Sequence, residues 1–249
     1  GVMGSLVMAG TPRQGNSDTT GRRLNGIGDY PTWTKLVQTG NVGDLKLIAR
    51  GDLSAWPVGA SIAIAPTEYP QPPETTEMEE REIASSPIFD PDTNTTTIVI
   101  TEALTYKHFS GVVGSADGHW PSPRLEAAIM LLGGRSNIVI RSANVGDEHG
   151  GTIYIAGNEE GTMIGSANIS NVDFIGMGKY YYEYPAIYIK MLGNSIGNMP
   201  PTKIEKCVFS QSQSGAIEAN GASNLELLGN TFHRTYTTAL WITKESVAE

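Results

Sequence analysis

The chain has 249 residues, 39% of them hydrophobic and 17% charged, with 29 glycines and 14 prolines; it is too apolar for disorder and too rich in turn formers for a helix bundle. Seventeen basic against 26 acidic residues leave a net charge of -9 with no compensating Lys/Arg cluster, which sets the chain against nucleic acid as a partner. No apolar run approaches the roughly 20 residues a helix needs to cross a bilayer, so no membrane span is expected in this segment.

The first ten residues, GVMGSLVMAG, lack the basic start and the length of a signal peptide, and there is no initiator methionine, so a processed or excised piece of a longer protein is expected. From there the pattern is strand and turn. "GSLVMAG", "DLKLIAR", "ASIAIAP", "TTTIVITE", "NIVIRS" and "GTIYIAG" are β-prone cores of four to six residues bounded by Gly, Asn, Asp or Pro. Two stretches interrupt them. Gln14–Asp29 is polar and Gly-rich and reads as an exposed loop. Glu68–Pro91 holds five prolines and the acidic run "EMEERE", which reads as a solvated face rather than a Ca²⁺ site. "RLEAAIMLL", Arg124–Leu132, sits between Pro123 and a Gly pair and suits either one helical turn or a buried strand.

The C-terminal half carries an internal repeat. Ile169-x-x-Val172-x-Phe174, Ile204-x-x-Cys207-x-Phe209 and Leu227-x-x-Asn230-x-Phe232 share one spacing, and each is followed by an apolar strand: Ala186–Ile189, Ala216–Ala219 and Ala239–Ile242. A period of 23 residues between the second and third copies, lengthened to 35 between the first and second by inserts around Tyr180–Tyr184 and Ser195–Pro201, with short strands and no helix suits one coil of a parallel β-helix, in which like residues stack on successive coils. The expected fold is therefore all-β, a right-handed parallel β-helix (solenoid) over residues 133–249, preceded by a β-rich segment over residues 1–132. Phe174, Phe209 and Phe232 form one inward ladder in this register, and Ile187, Ile217 and Leu240 another. Tyr188, Glu218 and Trp241 then share an outward column with Lys190 at its edge.

Other chemistry-bearing residues are sparse. Cys207 is the single cysteine, so neither an internal disulfide nor a Cys-rich metal site is available, and its repeat position makes it a small inward residue. His108, His119, His149 and His233 are scattered, with His149 beside Asp147 and Glu148 the nearest approach to a ligand set. Two N-glycosylation sequons occur, at Asn94 and Asn168. The insert "KYYYEYP" contributes Tyr181 and Tyr182 to an aromatic cluster suited to stacking on sugar rings or to packing against a coil.

"GSLVMAGTPR", "PTWTKL", "WPVGASIAIAPTEY", "MEEREI", "ITEALTYKH", "RLEAAIMLLGGRSNIVIRS", "HGGTIYIAG" and "YPAIYIKMLGN", in this order, resemble the G8-domain and parallel β-helix region of the fibrocystin-like proteins, to which the cell-surface hyaluronidases are similar. The resemblance implies an extracellular or cell-surface location, and an N-terminal segment that is the end of a G8-like module packing on the solenoid. In the hyaluronan-degrading relatives the segment after Tyr-Pro carries two histidines, at positions that here hold Tyr188 and Lys190; Asn194 stands where they have Asp. A phenol and a protonated ammonium are poor replacements for imidazoles in metal binding or acid/base work. The expectation is thus a non-catalytic structural or adhesive module without catalytic residues, metal or cofactor, whose partners are neighbouring domains or copies of itself. Tyr188, Lys190, Glu218, Trp241, Tyr181 and Tyr182 are its candidate contact surface, with a glycan as a further partner. The alternative is a carbohydrate-binding or polysaccharide-degrading β-helix module.

Overall fold

The computed structural model describes residues 5–10, 30–68, 77–114, 123–133, 137–145, 148–157, 165–180, 184–190, 201–222 and 224–243. Among these the protein is all-β, with no α-helix. All six β-prone cores read from the sequence are strands. The chain divides into two compact units, Pro12–Arg135 and a second made of Ser136–Glu249 together with Gly1–Thr11.

The Pro12–Arg135 unit is antiparallel. Its strands are β2 (Trp33–Lys35), β3 (Lys46–Arg50), β4 (Ser61–Ile64), β5 (Glu79–Glu82), β6 (Ile88–Asp90), β7 (Thr95–Val99), β8 (Ser110–Val112), β9 (Arg124–Glu126) and β10 (Ala128–Leu131), after β1 (Ser5–Ala9) of the other unit. They form sheets in the orders β2-β10-β4-β5 and β3-β7-β6 and the pair β8-β9. Alternation drives the layering: Leu47 and Ala49 of β3 and Ile98 of β7 point into a core with Leu36, Trp56, Ile62 and Ile129, while their sequence neighbours face out. The Trp56 indole N–H, carried into the core with its ring, donates to the Pro31 carbonyl at 2.8 Å.

Two sequence expectations change here. "RLEAAIMLL" is two strands, β9 and β10, broken at Ala127, whose N–H and C=O are taken by Phe109 and Leu36. The acidic run is not a solvated face throughout. Four of its residues form β5 against β4, and Glu79 is turned inward at 3% exposure. Alternation requires this, since one face of a strand lying on a core is buried whatever it carries. Gln14–Asp29 lies outside the described residues.

The second unit contains β11 (Ile138–Arg141), β12 (Ile153–Ala156), β13 (Ser166–Ser170), β14 (Val172–Ile175), β15 (Ile187–Lys190), β16 (Thr202–Glu205), β17 (Val208–Ser210), β18 (Ile217–Asn220), β19 (Leu225–Leu228), β20 (Thr231–His233) and β21 (Leu240–Thr243). They build three parallel sheets in the orders β1-β13-β16-β19, β11-β14-β17-β20 and β12-β15-β18-β21. The chain visits the sheets in rotation, and each strand pairs with its counterpart one circuit later. The repeat sets the register: Ile169 opposes Ile204 and Ile204 opposes Leu227, Phe174 opposes Phe209 and Phe209 opposes Phe232, Ile187 opposes Ile217 and Ile217 opposes Leu240. The phenyl rings stack at 4.7 and 5.4 Å between centroids, with Phe174 and Phe209 fully buried. β1 pairs in parallel with β13, so the first strand belongs with residues 136–249, whereas the expected boundary at 132/133 assigned it to the N-terminal segment.

Corners come from single residues in the left-handed region. Asn171, Lys206 and Gly229 occupy one corner on successive circuits, and Gly176, Gln211 and Arg234 the next, with φ between 51° and 63°. One such residue swings the chain from one sheet to the next, and its N–H still bonds the following circuit, as in Asn171 N–H to Glu205 O and Lys206 N–H to Leu228 O. Cys207, just past a corner, is fully buried. Its N–H donates to Asn230 Oδ1 at 3.0 Å, while Asn230 Nδ2 donates to Ile204 O at 2.8 Å, so this amide ties two circuits together.

Candidate functional site

The outer face of the β12-β15-β18-β21 sheet carries most of the singled-out residues. Period-two alternation sends Ile187 and Ile189 into the core and leaves Tyr188 and Lys190 on the other side. Register then aligns Tyr154, Tyr188, Glu218 and Trp241 in one column and Ala156, Lys190, Asn220 and Thr243 in the next. Tyr188, Lys190, Glu218 and Trp241 are thus brought together as the sequence predicts. Tyr181 and Tyr182 lie outside the described residues.

The column is an aromatic strip with a carboxylate in it. The Tyr154 and Tyr188 rings meet edge to face at 5.1 Å, and Tyr184 tilts against Tyr188 at 6.3 Å. Trp241 is 54% exposed, at the end of the column. A second aromatic pair, Tyr180 and Tyr236, packs edge to face at 4.4 Å and joins hydroxyl to hydroxyl at 3.0 Å. Tyr154 could have been found from sequence, because "TIYIAG" and "AIYIK" put a tyrosine at the same place between two isoleucines. Tyr236 could not, since its partner lies 56 residues away in the chain.

Partial burial pushes the Tyr188 phenol above its ordinary value, and the Glu218 carboxylate adds to the effect; the Lys190 ammonium and a hydrogen bond from Asn220 oppose it without reversing it. Among the described residues no group of three or more His, Cys, Asp or Glu is placed to hold a metal ion. His149 pairs in a β-bridge with Lys179, and Asp147 and His119 are outside the described residues.

The other unit holds a polar cluster that sequence reasoning missed. Glu79 accepts from the N–H groups of Thr105 and Tyr106, pairs with Arg81, and meets His108 Nε2 at 3.0 Å. His108 is fully buried, with Nδ1 2.9 Å from the Ala65 carbonyl oxygen. Burial acts to raise the Glu79 pKa, but the two backbone N–H groups, His108 and Arg81 outweigh it and hold the carboxyl below its ordinary value. His108 is therefore not isolated from carboxylates, as its sequence neighbourhood implies. These bonds are made inside the fold, and the cluster joins β5 to the 104–108 segment.

The sequon asparagines are both on the surface. Asn94 is exposed at the β6–β7 turn with φ 52°, and Asn168 is exposed in the middle of β13. Fold and face together define a class: an all-β protein with a unit of three register-matched parallel sheets and an aromatic, charged outer strip. No protein-family model matches the chain, and no curated protein matches it.

Proposed function

We propose that the Ser136–Glu249 unit with β1 is a right-handed parallel β-helix serving as a non-catalytic structural or adhesive module of a fibrocystin-like extracellular protein, in contact with neighbouring domains or copies of itself. The Pro12–Arg135 unit is, on this reading, the end of a G8-like module. One observation carries the functional part: the outer column presents Tyr188 and Lys190, the positions at which the resemblance to hyaluronan-degrading enzymes implies histidines, and its surroundings drive the Tyr188 phenol further from neutrality. A general acid or base works best with a pKa near the operating pH. Stiffness supports the scaffold reading as well, because each circuit is bonded to the next in all three sheets.

The aromatic strip favours a second reading, a carbohydrate-binding or polysaccharide-degrading module. Tyr154, Tyr188 and Tyr184 make a continuous run of rings, and exposed Trp241 and Tyr236 offer faces for sugars. One assay series separates the readings. Incubation with neutral and acidic polysaccharides is expected to leave chain lengths unchanged, and metal analysis to find no stoichiometric transition metal. Depolymerisation lost in Tyr188→Phe would establish an enzyme; saturable glycan binding without cleavage, lost in Trp241→Ala, would establish the binding module.

A further inference from the structure

The Pro12–Arg135 unit holds a concentration of positive charge that the overall balance conceals. The antiparallel bridge Leu36–Ala49 buries both of those residues, so the preceding Lys35 and the following Arg50 are cross-strand neighbours on the opposite, exposed side. Arg124 of β9 arrives beside them. Arg50 Nη2 and Arg124 Nε both donate to one oxygen, Glu126 Oε1, at 2.7 and 2.8 Å. The Glu126 side chain is only 6% exposed, whereas each guanidinium-bearing side chain is 53% exposed. A single covered carboxylate thus holds two arginines side by side under Lys35, which also acts on it electrostatically. Three cations against one anion leave a local excess of two positive charges. Each guanidinium spends one of its five N–H donors on Glu126, and the others have no partner among the described residues. Trp33, two positions from Lys35 on the same face of β2, is 54% exposed.

We infer that Arg50, Arg124, Lys35 and Trp33 form a binding site for a small oxyanion, a sulfate, phosphate or carboxylate, borne next to a ring or other apolar group. Two guanidiniums tethered to one carboxylate are held close together and present further N–H groups that suit an oxyanion, which lowers the cost of bringing them together on binding. Trp33 supplies the face on which the apolar neighbour rests. Size follows from charge: the molecule carries -9 overall, so an extended polyanion meets repulsion beyond the cluster, while a singly or doubly charged ligand does not.

Calorimetric titration of the whole chain with inorganic sulfate, with 4-nitrophenyl sulfate and with heparin tests this. Sulfate is expected to bind one to one with a Kd on the order of 1 mM at low salt, and the aromatic sulfate about tenfold tighter. Arg50→Gln, Arg124→Gln and Lys35→Gln each weaken both ligands, about tenfold for the arginines. Trp33→Ala removes only the aromatic increment, and Lys46→Gln, a cation of β3 outside the cluster, changes nothing. Lys35→Gln disturbs neither bond to Glu126, so its loss of binding cannot be blamed on misfolding. No saturable sulfate binding, equal weakening by Lys46→Gln, or heparin binding tighter per sulfate and indifferent to Trp33 would each overturn the site.

Discussion

Gly150 shows how closely the second unit is packed at single atoms. A Cβ there would lie 2.2 Å from the Gly176 carbonyl oxygen and 2.7 Å from that of Gly178, both backbone atoms that cannot turn aside. Gly150→Ala is therefore expected to cost about 3 kcal/mol or more, in the range of severe overpacking, and to appear as a lowered Tm of this unit. The glycine pair of "HGGTIYIAG" is plain in the sequence, but the close approach is not, because the opposing backbone comes 26 residues later from another circuit. Glu79 is hidden for a related reason: three of its four partnering groups lie 26 to 29 residues downstream. Its depressed pKa has a definite sign. A carboxyl lowered by folding contributes stability that is present above the unfolded value of about 4.3 and is lost as pH falls through the lower folded value. Acid titration followed by near-ultraviolet circular dichroism should show the Pro12–Arg135 unit weakening over that window, and Glu79→Ala, which strands buried donors, should cost about 3–5 kcal/mol at neutral pH.

Elements were readable where they repeat. The spacing apolar-x-x-(Val/Cys/Asn)-x-Phe marks both the strands and their register, since like positions of the motif on successive circuits pair in the parallel sheets although the circuits differ in length. Phe209, flanked by Phe174 and Phe232 at stacking distance, should be the most expensive ring to remove: Phe209→Ala is expected to cost about 3–5 kcal/mol in urea unfolding, and Phe232→Ala less, because Phe232 is only partly buried. Cys207→Ser should cost less than Phe209→Ala, a hydroxyl being able to reach the Glu205 carbonyl that the thiol faces at 3.3 Å. What does not repeat was harder to read. β1 joins β13 through five residues that share no motif with the later circuits, and the corner residues Lys206, Gln211 and Arg234 carry none of the glycine signal that usually marks a left-handed turn.

On the scale of the whole molecule, the all-β class followed from composition and turn density, whereas the division into units did not, because β1 is separated in sequence from the sheets it completes. Secretion is expected to leave glycans on the exposed asparagines: expressed through a secretory pathway, the chain should lose mass on N-glycosidase treatment, and Asn94→Gln and Asn168→Gln should each remove one step. The Thr96 hydroxyl of the first sequon has a structural role besides, donating to Gly51 O at 2.6 Å and accepting from Leu53 N–H at 3.0 Å. Stacked circuits in one register, with Tyr188 beside Glu218 on the outer face, underlie both the proposed scaffold and the proposed contact surface. Paired cysteines measure this directly. In a Cys207→Ser background, Tyr188→Cys with Glu218→Cys should close a disulfide under mild oxidation, since adjacent strands place the two Cα atoms about 5 Å apart, within bridging range. Tyr188→Cys with Ala219→Cys should stay reduced, because alternation turns residue 219 into the core. Oxidation of the second pair in preference to the first would mean that the circuits are slipped by one residue, and the stacked register with its outer strip would be wrong.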